Sequence, residues 1–145
     1  MIIKVDCSNV ADAAKVHSIS WKESHKAFCT PDFIQMHSPE RQQNYLQEKM
    51  DDGSAVFMLV DNEPVAVVSI TDSLIEDLYV LPEMQNRGYG SELLRFAISK
   101  CESKPTLWIL ENNHNARRLY ERMGFKETGN RNVITDKLDE IEFSL

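Results

Sequence analysis

Leu78-Tyr79-Val80-Leu81-Pro82-Glu83-Met84-Gln85-Asn86-Arg87-Gly88-Tyr89-Gly90-Ser91 leads from an apolar strand pattern into an amphipathic helix expected over Ser91 to Cys101. A helix start leaves backbone N–H groups without intrahelical partners, and the helix dipole adds partial positive charge there. Glycines at 88 and 90 allow close backbone approach and angles closed to other residues. With Arg87 beside them, these groups suit an anion such as a pyrophosphate. Two common phosphate loops do not fit. A nucleoside-triphosphate loop needs Lys-Ser/Thr after its last glycine, and Gly90 is followed by Ser91-Glu92. A dinucleotide fingerprint needs a small residue where Leu93 stands. Taken alone, the stretch fits a phosphate site and a plain strand–helix turn equally well.

Outward from this junction, strands and helices alternate. Ile2 to Val5 reads as a strand, and residues 10, 13, 14, 17 and 21 mark a helix running to about His25. Ser38-Pro39-Glu40 starts a second helix, which Asp51-Asp52-Gly53 ends near Met50. Strands follow at Ala55–Val60, Val65–Thr71 and Leu74–Leu81, the first two joined by the polar turn Asp61-Asn62-Glu63-Pro64. Beyond the glycine loop, Leu93, Leu94, Ala97, Ile98 and Cys101 share a helix face. Thr106–Leu110 reads as a buried strand, and Ala116, Leu119, Tyr120 and Met123 lie one above another on a last helix closed by Gly124. Phe125–Thr128 and Leu138–Leu145 complete the pattern as strands. Residues 1–145 thus read as one α+β (mixed α/β) domain.

Composition limits the function. A net charge of −7 and a pI near 5.1 argue against a nucleic-acid partner and are compatible with a cationic substrate. No apolar run reaches the length of a membrane span, and Met1 to Asp6 lacks a signal-peptide pattern. Cys7, Cys29 and Cys101 form no C-x-x-C pair and read as free thiols, so a cytoplasmic location is expected. His17, His25, His37 and His114 have no metal-ligand spacing, and no metal is expected.

Two segments together carry a resemblance. Gln85-x-x-Gly88-x-Gly90 between strand and helix, followed by Asn113-x-x-Ala116-x-x-x-Tyr120-Glu121-x-x-Gly124-Phe125, resembles the GNAT superfamily of N-acetyltransferases. The resemblance spans nearly the whole chain in element order and runs residue by residue from about Leu78 to Phe125. It implies a mostly antiparallel, splayed central sheet flanked by helices, with acetyl-CoA inserted between the two central strands. The backbone of Leu78, Tyr79 and Val80 would bond the pantetheine arm as an added strand would. Gln85, Asn86, Arg87, Gly88, Tyr89, Gly90 and Ser91 would surround the pyrophosphate. Asn113 and Ala116 would lie on the cofactor side of the splay, and Tyr120 would protonate the departing thiolate.

The implied reaction is attack of a neutral amine, from a small molecule or a peptide, on the thioester carbonyl. Donors such as the Val80 N–H would stabilise the oxyanion, and a base would take the amine proton. Strand alternation puts Glu76 and Asp77 on opposite faces, with Glu76 sharing the face of Leu78 and Val80, so Glu76 is the expected base. Some family members carry a carboxylate five residues before the asparagine, where this chain has Trp108. Trp21, His25 and Phe28 are expected to shape the acceptor pocket.

Structural roles stand beside these. By spacing alone Tyr120 fits a core tyrosine, Glu76 a solvated strand residue, Asn113 a helix cap and Trp21 a core residue. A non-catalytic acyl-CoA-binding module would keep the loop without a working acid or base. A nucleotide switch would need the Lys-Ser/Thr pair that is missing. Alternation in Leu138–Leu145 suggests an edge strand offering backbone groups to a second copy, hence a homodimer.

Overall fold

A computed structural model describes residues 1–27, 29–136 and 138–145. The strands are β1 (Ile2–Lys4), β2 (Ala55–Asp61), β3 (Glu63–Thr71), β4 (Leu74–Val80), β5 (Thr106–Leu110), β6 (Lys126–Thr135) and β7 (Leu138–Ser144). The helices are α1 (Val10–His25), α2 (Pro31–Gln35), α3 (Pro39–Asp51), α4 (Tyr89–Lys100) and α5 (His114–Arg122). They build a mixed α+β architecture around a seven-stranded sheet ordered β1-β2-β3-β4-β5-β7-β6. Every neighbouring pair is antiparallel except β4 with β5. None of the described helices is long and apolar enough to cross a membrane.

Each face of the sheet buries its own core. On one, Leu93, Leu94 and Ala97 of α4 and Tyr120 of α5 pack over Val68, Leu107, Phe125 and Phe143. On the other, Val10, Ala13 and Ala14 of α1 and Leu46 of α3 cover Val56, Met58 and Val67. The central strand β3 is apolar on both sides because it is covered on both sides. Helix starts follow their caps. Ser38 Oγ accepts the Arg41 N–H ahead of α3, and Thr30 Oγ1 accepts the Phe33 N–H ahead of α2.

Four sequence expectations change here. The helix after the glycine loop starts at Tyr89 rather than Ser91, because Gly88 is its N-cap. The C-terminal strand β7 is interior, paired with β5 on one side and β6 on the other. The edge on that side is β6, which extends to Thr135 rather than stopping at Thr128.

The fourth concerns Glu76 and Asp77, which do not alternate across β4. Val67 pairs with Tyr79 and Ser69 with Glu76, so Asp77 and Leu78 together oppose Val68 in a β-bulge. Asp77 takes φ 55°, left-handed backbone that aspartate tolerates better than most side chains. The bulge turns Glu76 and Asp77 to the same face, toward α3, where Lys49 Nζ bonds both carboxylates. Leu78 and Val80 pack instead on the α4 side.

Candidate functional site

The parallel strands β4 and β5 meet at Leu74 and Thr106 and pair no further among the described residues. β5 stays with β7 along its whole length, so a gap opens between β4 and β5 toward their C-terminal ends. On the far side of β4, Leu81 N–H bonds Val65 O at 2.9 Å. Backbone polar groups alternate in direction along a strand, so the N–H and C=O of Val80 point into the gap. The Gln85 side-chain amide donates to that carbonyl at 3.3 Å. The middle of this sheet therefore holds an unpaired strand edge. Such an edge binds extended, amide-bearing chains.

The glycine loop closes one end of the gap. Gly88 has φ 89°, and a Cβ added there would meet nothing within 4 Å. Its conformation needs glycine, and its outer surface is open to a ligand. Gly90 has a different job. A Cβ there would lie 3.4 Å from Leu119 Cδ2 and 3.7 Å from Val80 Cγ2, so it lets the start of α4 sit against α5 and β4. As the first turn of α4, Tyr89, Gly90 and Ser91 direct N–H groups outward with no intrahelical carbonyl to accept them. The Tyr89 hydroxyl bonds Asp61, and Arg122 reaches Ser91 Oγ at 3.3 Å, fixing the helix start from two sides. The cradle of backbone donors fits a diphosphate.

Tyr120 is buried beside the same junction, its ring 5.9 Å from that of Phe125. Its hydroxyl forms no hydrogen bond among the described residues. Burial raises its pKa, so it keeps its proton at neutral pH. Asn113 caps α5, Oδ1 accepting the Ala116 N–H at 3.1 Å, and this engages the side chain structurally.

On the opposite face of β4 lies a pocket of about 290 Å³. Trp21, His37 and Tyr79 form aromatic walls, and Arg41, Gln42 and Tyr45 of α3 close it. Trp21 is sandwiched between His25 and His37, with ring centroids 4.0 and 3.5 Å away and planes within 12°. His25 thus supports Trp21 from behind, and Phe28 lies outside the described residues. Burial lowers the pKa of His25, and burial with the nearby Arg41 charge does the same for His37, so the stack is uncharged at neutral pH.

At the pocket floor, the bulge presents Asp77 to an array of donors. His17 Nε2 lies 3.2 Å from Oδ1, and Lys49 Nζ and Ser69 Oγ lie 3.0 and 2.7 Å from Oδ2. The Tyr45 hydroxyl donates to the same carboxylate. Burial alone would raise the Asp77 pKa, but the bond to His17 and the charge of Lys49 hold it well below the usual carboxylate range. Burial opposes the charge on Lys49 as well, yet Asp77 and Glu76 keep its pKa high. Asp77, His17 and Lys49 escaped the sequence reading because the bulge that gathers them breaks the assumed alternation.

A polar, aromatic pocket and an unpaired strand edge thus flank one strand, with a turn of free backbone N–H donors at its end. The model of the acetyltransferase (GNAT) family matches residues 15–125 of this chain. The chain belongs to the GNAT acetyltransferase family. This GNAT chain is 25% identical over 134 residues to peptidyl-lysine N-acetyltransferase YjaB of Salmonella typhimurium, covering 92% of this chain and 90% of that protein. Its fold is similar to the PaiA N-acetyltransferase of Thermoplasma acidophilum solved with coenzyme A, at 18% identity and TM-score 0.73 over 98% of this chain and 96% of that one. It is similar also to YncA of Salmonella typhimurium solved with acetyl-CoA, at 18% identity and TM-score 0.73 over 100% and 92%.

Proposed function

We propose that this GNAT protein is an acetyl-CoA-dependent N-acetyltransferase that moves an acetyl group to a primary amine of a small molecule or peptide in a ternary complex. The observation that carries the reading is the unpaired edge at Val80, ending at the Gly88 cradle. Acetyl-CoA supplies an activated acyl group, an amide-rich arm and a diphosphate. Val80 and the strand beside it would hold the arm, Gln85 releasing the Val80 carbonyl, and the N–H groups of residues 86–91 would hold the diphosphate. The amine would enter from the aromatic pocket on the other face.

In the transfer a C–N bond forms, the C–S bond breaks, and the amine gives up a proton. The bulge places Glu76 on the pocket side of β4, which favours it as the proton acceptor although its expected face was wrong. Tyr120, held neutral by burial, is the donor to the departing sulfur. A homodimer would pair through the exposed β6 edge rather than through β7. Thiol release from acetyl-CoA with a panel of amines tests the reading. Tight acetyl-CoA binding without amine-dependent release would favour a non-catalytic acyl-CoA-binding module instead.

A further inference from the structure

The pocket beneath α1 and α3 is charged in a way the acidic composition does not suggest. Asp77 has both oxygens engaged by His17, Tyr45, Lys49 and Ser69. Lys49 also holds Glu76 at 2.8 Å. The local acids therefore have a resident counter-ion, and an incoming cation would have to displace a half-buried ammonium that both carboxylates already hold.

What the pocket leaves without a partner is different. Arg41, the lining residue with a permanent positive charge, forms no ion pair or side-chain hydrogen bond among the described residues. Beside it, Gln42 is only 4% exposed, and its Nε2 has no hydrogen-bond partner among the described residues. A buried amide left without a partner is costly, so its presence in the lining of a cavity marks a group kept for something that binds there. Tyr79 also lines this space, and its hydroxyl has no hydrogen bond among the described residues. A guanidinium next to an amide donor, facing aromatic walls, is the chemistry that recognises a carboxylate. The volume, about 290 Å³, lies at the low end for ligand pockets and suits a small molecule better than a peptide.

We infer that the acetyl acceptor is a small amine that also bears a carboxylate, of the amino-acid class. Arg41 and Gln42 hold the carboxylate, and the amine is directed toward β4. The inference rests on the acetyltransferase reading for the fate of the amine and on the pocket alone for the anion.

The test compares free amino acids with their carboxamides, which keep the amine and side chain and lose the negative charge, and with a capped lysyl peptide. Binding is followed by the Trp21 indole NMR signal and transfer by thiol release from acetyl-CoA. Some amino acids should bind and react at least ten-fold better than their carboxamides. Arg41→Ala should abolish that difference while leaving acetyl-CoA affinity and thermal unfolding unchanged, and Arg41→Lys should restore part of it. Gln42→Leu should weaken binding of the same amino acids. Equal use of acids and carboxamides, preference for the lysyl peptide, or discrimination surviving Arg41→Ala would overturn the anion site and leave the transfer reaction intact. Arg41-dependent binding of amino acids without any thiol release would leave the anion site standing and remove the transfer reaction.

Discussion

Lys49 places its ammonium 2.8 Å from Glu76 Oε1, so the carboxylate assigned to accept a proton carries its own counter-ion. The same ammonium lies 3.0 Å from Asp77, which is the more buried of the two acids. Lys49 thus ties α3 to the β4 bulge.

Glu76→Gln should lower kcat/KM by about 10²–10⁴-fold, with acetyl-CoA affinity unchanged. The acidic limb of the pH–rate profile should vanish in that variant. Rates at the wild-type level would move the base role to a water chain or to another group.

Lys49→Met should cost about 3 kcal/mol of stability, because it strips the cation from a buried carboxylate. Lys49→Met combined with Asp77→Asn should recover a large part of that loss, since the buried charge is then gone too. Chemical denaturation of both variants measures the coupling, and simple additivity would show that the pair does not interact.

The bulge explains why this network was illegible in the sequence while the glycine turn before α4 was not. Gly88, the unpaired first turn of α4 and the neighbouring strand lie within a dozen residues, and glycine at such a turn has a local cause. Asp77 is positioned by His17, Tyr45 and Lys49, which are 60, 32 and 28 residues away, and no local period encodes that. β6 was cut short for a related reason. All ten of its residues are exposed, so it has no apolar alternation. Cross-strand polar pairs hold it instead: Thr128 and Asn130 to Glu142, and Arg131 to Asp139. α2 was missed although Thr30-Pro31-Asp32 carries a start signal, because five residues leave no room for periodicity.

Gly88→Val and Gly90→Val should both weaken acetyl-CoA binding, by different routes. At Gly88 the side chain meets open space, but φ 89° is strained for valine, and the loop would leave its cradle conformation. At Gly90 the branches would press on Leu119 and Val80 and push α4 away from β4. Gly90→Ala, at ordinary contact distance, should be far milder. Titration calorimetry showing unchanged affinity in both valine variants would remove the loop from the binding site.

Stability should fall in two stages as the solution is acidified. His25 and His37 have folded pKa values below the ordinary 6.5, so the unfolded chain takes up protons first and stability drops as pH falls below about 6.5. Asp77 is held below its ordinary 3.8, so its stabilising contribution is present above that value and is lost as pH falls further. His25→Phe with His37→Phe should flatten the first stage and leave the second. A first stage that persists in this double variant would assign it to other groups.

Tyr120→Phe separates chemistry from packing at one atom. The ring against Phe125 and its buried area survive, and only the hydroxyl is removed. Because that hydroxyl bonds nothing among the described residues, the variant should unfold within about 1 kcal/mol of the wild type. Acetyl-CoA affinity should also be unchanged. If the hydroxyl protonates the departing thiolate, kcat should fall roughly 10–10³-fold, since a group acting only in the transition state affects turnover rather than binding. A thiolate is already a fair leaving group, so the lower end of that range is expected. The measurement must be made where chemistry limits turnover, because slow product release would hide the loss. A drop smaller than about threefold under those conditions would return Tyr120 to a purely structural place in the core.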